Sequence, residues 1–231
     1  MNEFDQKAQT WDAKAVRVER AQATAERIRA AVPLNPRMTA LEYGCGTGLV
    51  SFALQPYLGH ITLADSSIGM LTVLQEKIAA GGIQNTGAAH AQRASAGTAR
   101  RARRDRLRHS AGLTPLQLDL LCDPLPHDRY QLIYTLLTLH HIADTDKVLR
   151  AFYVLLDHPG YLCVADLDKE DGTFHEEEFH GHLGFDRDEL GAQAKQAGFQ
   201  SIRFTTVFHM IKDVQGIRKD FPIFLMTAEK S

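Results

Sequence analysis

The stretch "LEYGCGTGLVSFAL", residues 41–54, runs from an apolar segment through three glycines at alternate positions into a helix-like run. Glycine has no Cβ, so backbone at Gly44, Gly46 and Gly48 can take left-handed dihedrals and approach a ligand closely. A dinucleotide fingerprint reads G-x-G-x-x-G. Gly44 and Gly46 supply its first two glycines, but the third position is Leu49. The loop therefore reads as a nucleotide site without the nicotinamide signature.

Around this loop the hydrophobic pattern alternates between two kinds of element. "MTALEY" (38–43) and "HITLAD" (60–65) read as buried strands, and "SIGMLTVLQEKIAA" (67–80) reads as a helix with apolar residues at Ile68, Leu71, Leu74 and Ile78. Residues 8–31 read as a single helix ending before Pro33. Further along, "LQLDLL" (116–121), "YQLIYTLLTL" (130–139) and "GYLCVADL" (160–167) read as strands, with helices over 144–157 and 186–198. Two β-like runs, 200–210 and 221–230, finish the chain with little room for a helix between them. Strands alternating with helices predict a doubly wound, mostly parallel α/β sheet, and the last pair predicts one antiparallel strand.

In such a sheet, ligands bind beyond the carboxyl ends of the strands, where strand order reverses. Asp65 ends the second predicted strand, where an acid can accept from ribose hydroxyls. Asp119 lies in or at the end of the third, where it can accept from an exocyclic amine. Glycine loop and acids thus fall on one edge of the sheet.

The chain has 231 residues and a formal charge of −2, with 44% hydrophobic residues, which suits one globular α/β domain. Three widely spaced cysteines (Cys45, Cys122, Cys163) form no C-x-x-C, which argues against a disulfide framework or thiolate zinc site and for a reducing, cytoplasmic setting. The polar start "MNEFDQKAQTWDAK" carries no apolar signal region. No apolar run approaches the roughly 18 residues of a membrane span.

One segment departs from the rest. Thr86 to Gly112, "TGAAHAQRASAGTARRARRDRLRHSAG", holds one large aliphatic residue, Leu107, and cannot bury enough surface to join a core. Arg93 to Arg108 carries seven arginines and one acid, so the chain's −2 divides into +6 there and −8 elsewhere. The segment reads as a disordered insertion in the single domain. It has three open readings: a contact for RNA or another polyanion, a solvated loop without a role, or an abnormal stretch such as a shifted reading frame. It lacks aromatics for base stacking, which disfavours sequence-specific binding.

With these residues in view, the sequence resembles the class I S-adenosylmethionine-dependent methyltransferases, of the broad group that includes the ubiquinone and menaquinone methyltransferases. The resemblance rests on "LEYGCGTG", "LADSSIGML", "LQLDLL" and "YQLIYTLLTLHHIAD" and covers most of the chain outside 86–112. It implies a Rossmann-like sheet of seven strands with a C-terminal hairpin. It implies S-adenosylmethionine as cofactor, with Glu42, Gly44, Gly46 and Gly48 along the methionine and ribose and Asp65 on the ribose hydroxyls. Ser66 and Met70 then flank the adenine, Asp119 and Leu120 meet its amino edge, and Thr135 and Leu136 face the sulfonium. The helical segment 1–35 would act as a cap over the site.

A sulfonium is already a strong methyl donor, so the chemistry asks mainly for alignment and exclusion of water, and no metal is expected. His140 and His141, after the fourth strand, are candidates for a general base, as is His175 in "FHEEEFHGH" (174–182). That His- and Glu-rich loop also resembles a ligand set, although its spacing matches no zinc signature. "YTLLTLHH" has no Asn/Asp-Pro-Pro-aromatic motif, which disfavours an exocyclic amine as acceptor. The expected activity is methyl transfer to a small organic acceptor. The alternative is a regulatory protein that binds cofactor or polyanion without turnover.

Overall fold

A computed structural model describes residues 3–81, 112–175 and 179–231. The Arg-rich stretch, apart from Gly112, and Glu176–Glu178 lie outside the described residues.

The first central strand, β1 (Thr39–Tyr43), leads through the glycines into α3 (Leu49–Leu54). Before it come α1 (Glu3–Lys7), a 3-10 turn over Ala8–Ala13, and α2 (Ala15–Ala31). The single helix expected over 8–31 is therefore divided. Lys14 is extended, with ψ of 106°, and breaks the helical path so that residues 3–13 can turn across the sheet edge.

Next follow β2 (His60–Asp65), α4 (Ile68–Ala80), β3 (Gly112–Gln117), β4 (Tyr130–Leu136), α5 (Thr145–Leu155), β5 (Leu156–Leu167), α6 (Arg187–Gln196), β6 (Gln200–Val214) and β7 (Ile217–Lys230). Their order in the sheet is β3-β2-β1-β4-β5-β7-β6. The first five strands in that order pair in parallel, and β7 runs antiparallel to both its neighbours. This is the seven-stranded, doubly wound arrangement expected, with its one reversed strand near the C-terminus. Strand order reverses between β1 and β4, which fixes the crevice at the carboxyl ends of β1, β2 and β4.

Several boundaries differ from expectation, and the C-terminal strands β5, β6 and β7 all run longer than the 160–167, 200–210 and 221–230 expected. The third strand was expected over 116–121 but spans Gly112–Gln117, so Gly112 belongs to the sheet and Asp119 sits in the turn beyond it. Pro115 disguised this strand; among the described residues β3 pairs only with β2, and an edge strand tolerates a missing amide donor. The fourth strand ends at Leu136 instead of 139, because Leu137 takes a positive φ of 51° and Leu139–His141 form a 3-10 turn. The helix expected over 144–157 ends at Leu155, where β5 begins.

Both sheet faces are covered. Ile28, Leu54, Leu63, Leu74, Tyr134 and Leu225 pack on one face; Leu41, Ile133, Phe152, Leu190 and Phe224 pack on the other. Burial is continuous over Ile61–Ala64 of β2, Thr62 included, as for a parallel strand covered on both faces. Helix α5 shows the opposite pattern, burying Val148, Leu149, Phe152 and Leu155 on one stripe, and its Asp144 cap accepts from the Lys147 amide at 2.8 Å.

Candidate active site

The glycine loop is a left-handed turn clamped to β2. Gly44, Gly46 and Gly48 have φ of 71°, 52° and 83°. The Gly44 and Cys45 amides donate to the Ala64 carbonyl at 2.8 and 3.0 Å, and the Gly46 amide donates to Asp65 Oδ2 at 2.8 Å. Space around the three glycines differs. A Cβ on Gly44 would lie 2.2 Å from Thr138 Oγ1, and one on Gly48 2.7 Å from Leu74 Cδ1. A Cβ on Gly46 would meet nothing nearer than Met70 Sδ and Trp11 Nε1, both at 3.9 Å. Gly46 is thus the glycine that borders room for a ligand.

Asp65 is fixed on both oxygens, with Oδ1 accepting from the Ser67 amide at 2.8 Å, and burial raises its pKa above the ordinary carboxylate value. Each oxygen keeps lone-pair capacity for a hydroxyl donor. Ser67 caps α4 through a 3.1 Å bond from the Met70 amide, which seats the Met70 side chain against the loop. Ser66 is exposed beside it.

Glu42 is enclosed on the underside of the loop. Its carboxyl accepts from the Ser51 amide and hydroxyl, and that hydroxyl lies 2.6 Å from Tyr134 Oη. Burial pushes its pKa up to about 8, so the group ties β1 to α3 mainly as a neutral acid. On the far side of β2, Asp119 Oδ1 accepts from the Leu121 amide at 2.9 Å, while the Leu120 amide donates to Tyr43 Oη at 3.2 Å. Thr135 is buried near the end of β4, and its Oγ1 has no hydrogen-bond partner among the described residues. Leu136 follows at the strand's end.

The N-terminal segment crosses this edge. Asp5 Oδ1 accepts from Ser67 Oγ at 2.7 Å and the Gly69 amide at 2.9 Å. Asp12 accepts from Thr47 Oγ1 at 2.5 Å and from Lys77 Nζ at 2.6 Å. Phe4 packs edge-on against Trp11 and His141, with centroids 6.0 and 5.2 Å away. Within the segment expected as a cap, Phe4, Asp5 and Asp12 gave no signal in the sequence, because each acts through contacts distant in the chain.

The three candidate histidines come together. His140, buried, lies 4.1 Å from His141 and 5.4 Å from His175 between ring centroids, and His141 and His175 are 5.8 Å apart. His182 is turned away from this group, its Nε2 2.9 Å from the Ile142 carbonyl, and His180 is exposed. Among the described residues no group of three or more His, Cys, Asp or Glu side chains is arranged to hold a metal, and no helix is long and apolar enough to cross a membrane.

The site fits S-adenosylmethionine: a ligand-bordering glycine, a fixed carboxylate at the end of β2 and a buried thioether lie side by side. Comparison with known proteins agrees. A family model described as "Methyltransferase domain" matches residues 16–204. An uncharacterized methyltransferase of Schizosaccharomyces pombe is 31% identical over 138 residues, which is 60% of this chain and 42% of that protein. The chain thus spans less than half the length of that relative.

Among solved structures, a SAM-dependent methyltransferase from Aquifex aeolicus superposes with a TM-score of 0.60 at 18% identity, covering 96% of this chain and 97% of its own. Phosphoethanolamine N-methyltransferase 2 of Haemonchus contortus, in complex with S-adenosyl-L-methionine, gives 0.62 at 13% identity, covering 100% of this chain and 60% of its own. At these identities the likeness is one of fold.

Proposed function

The chain belongs to the methyltransferase-domain family, and from that premise we propose that it methylates a small organic acceptor by direct transfer from S-adenosylmethionine. The bound cofactor supplies a sulfonium-activated methyl group. In this reading Asp65 takes the ribose hydroxyls above Gly46, and Gly44 and Gly48 set the turn that brings Gly46 close. Glu42 supports the methionine end from below. Met70 and Ser66 flank the adenine, Asp119 and Leu120 meet its amino edge, and Thr135 and Leu136 face the methyl group.

The observation that carries a small acceptor is the roof. Residues 4–12 reach from the amino end of α4 to His141, tied by Asp5, Asp12 and Phe4. A strap so tied walls the acceptor space with side chains and excludes water, as alignment of a reactive methyl group requires. The single domain, with its cap over 1–35, is then one working unit, and the unpaired cysteines suit a cytoplasmic setting.

The test is transfer of radiolabelled methyl from S-adenosylmethionine to a panel of small hydroxyl, amine and carbon acceptors, with RNA and an acidic protein alongside. Label in a small acceptor supports the reading. Label confined to RNA or protein would replace it with a macromolecular one.

A further inference from the structure

A second enclosed group of titratable side chains lies at the carboxyl edge of β4 and β5. Asp166 is fully out of solvent, and three donors place its carboxylate: His140 Nδ1 at 2.6 Å, the His140 amide at 3.3 Å and the Leu167 amide at 2.8 Å. A carboxylate only accepts, so Nδ1 carries the hydrogen, and in the neutral ring the His140 lone pair is on Nε2. The sequence reading took Asp166 as part of an apolar strand; its role appears only when β4 and β5 lie side by side.

The surrounding walls are flat and aromatic. His175 stacks on Phe179 with centroids 3.6 Å apart, Phe179 stands edge-on to His141 at 5.2 Å, and Phe4 closes the other side of His141. Phe4 also meets Trp11, which borders Gly46, so one strap roofs both the cofactor loop and the imidazoles.

The charges facing this group come from three further elements: Glu3 of α1 toward His141 and His175, Arg20 of α2 toward Asp166, and Lys212 of β6 toward His175. Arg20 is 8% exposed; its Nη1 meets the Met210 thioether at 3.0 Å, and its Nε has no hydrogen-bond partner among the described residues. His175 Nε2 is likewise buried and without a partner among the described residues. A buried guanidinium facing a thioether is costly and leaves an anion-seeking donor unsatisfied.

We propose that this side-chain cluster binds a planar phenolic or enolic hydroxyl as the methyl acceptor, with His140 Nε2 as the base, Asp166 as its positioning residue and Arg20 facing the developing oxyanion. The assignment rests on the methyl-transfer reading above and adds the acceptor class. A phenol, with a pKa of about 10, is mostly un-ionised at neutral pH and needs a base to become a good nucleophile. A free amine needs none, and an ammonium would face Arg20.

In the step, the acceptor oxygen gives its proton to His140 Nε2 as the O–CH3 bond forms. The S–CH3 bond breaks with its electron pair left on sulfur. The positive charge of the sulfonium ends on the imidazolium beside Asp166, so charge and atoms balance.

Two readouts on the full chain test this. The first is the visible absorbance of 4-nitrophenol, which reports its ionisation, added to protein saturated with S-adenosylhomocysteine at a pH below the dye's own pKa. Binding is expected to shift the dye toward phenolate, and Arg20→Gln to remove that shift. The second is methyl transfer to 4-methylphenol and to 4-nitrophenol under mildly alkaline conditions, where only the latter is already ionised. His140→Gln is expected to slow the first by about 100-fold or more and the second by less than about tenfold. Asp166→Asn should act in the same direction and move the acid limb of the pH profile.

Calorimetric binding of S-adenosylhomocysteine with unchanged affinity shows that each variant is folded. Normal cofactor binding with no dye shift and no phenol methylated would overturn the proposal, as would His140→Gln slowing both phenols equally. Failure of the wild type to bind S-adenosylhomocysteine is a different result and overturns the cofactor reading beneath it.

Discussion

The Gly46 amide donates directly to Asp65 Oδ2 at 2.8 Å, joining the middle of the glycine loop to the carboxyl end of the neighbouring strand. One carboxylate therefore both holds the loop in its left-handed path and faces the ligand space that Gly46 borders. Asp65→Ala is expected to weaken S-adenosylhomocysteine binding by roughly 1.5–3 kcal/mol, the scale of hydrogen bonds to a charged group. Calorimetry on the variant checks this, and unchanged affinity would remove Asp65 from the site.

The glycines should separate by experiment. Gly44→Ala places a methyl group 2.2 Å from Thr138 Oγ1 at a φ of 71°, and is expected to cost about 2–4 kcal/mol of stability by denaturant titration. Gly46→Ala meets nothing closer than 3.9 Å. Its folding penalty should be about 1–2 kcal/mol for the backbone alone, while cofactor affinity falls by about tenfold or more.

The contrast shows what the sequence could and could not disclose. The glycine loop, β1, β2 and Asp65 were legible because central parallel strands are continuous apolar runs and their ligand groups sit at strand ends. The edge strand β3 was not, since Pro115 and Gln117 are tolerated where one side of the strand lacks a partner. Asp5 and Asp12 look like any surface acids, Asp166 is hidden in an apolar strand pattern, and Arg20 looks like its exposed helical neighbours. Their burial and bonding arise from contacts tens of residues away, as between Asp12 and Lys77 or Asp166 and His140. The histidines were found as candidates; the carboxylate that orients one of them was not.

Stability should carry the mark of Glu42. Its pKa is raised from 4.5 to about 8, so between those values the folded chain holds more proton than the unfolded one. Stability from this group is then lost as pH rises through that window. Glu42→Gln keeps an oxygen for Ser51 and cannot ionise. Its melting temperature should exceed the wild type's at the alkaline end and converge with it toward the acid end. A constant difference across the window would contradict the assignment.

The histidine cluster gives the opposite slope. Burial lowers His141 and His175 from 6.5 to about 4, with the neighbouring imidazoles and Lys212 adding to the effect. The unfolded chain binds more protons in that interval, so the stability contributed above 6.5 is lost as pH falls toward 4. Denaturant midpoints measured across this range should fall more steeply for the wild type than for His141→Gln.

The strap should govern exchange. Asp12→Ala removes the acceptor of Thr47 Oγ1 and the ion-pair partner of Lys77, leaving Lys77 its 2.7 Å bond to the Thr47 carbonyl. Stopped-flow displacement should show S-adenosylhomocysteine leaving about three- to tenfold faster, with the association rate changed less. An unaltered dissociation rate would mean that residues 4–12 pack on the domain without closing the site.

The most direct measurement is calorimetric titration of the full chain with S-adenosylhomocysteine, beside the same titration of Asp65→Ala. Saturable one-site binding by the wild type, weakened in the variant, is what the geometry of Gly46, Asp65 and Met70 predicts. Absence of binding by the wild type, or equal binding by both, would contradict the placement of the cofactor at the carboxyl ends of β1 and β2.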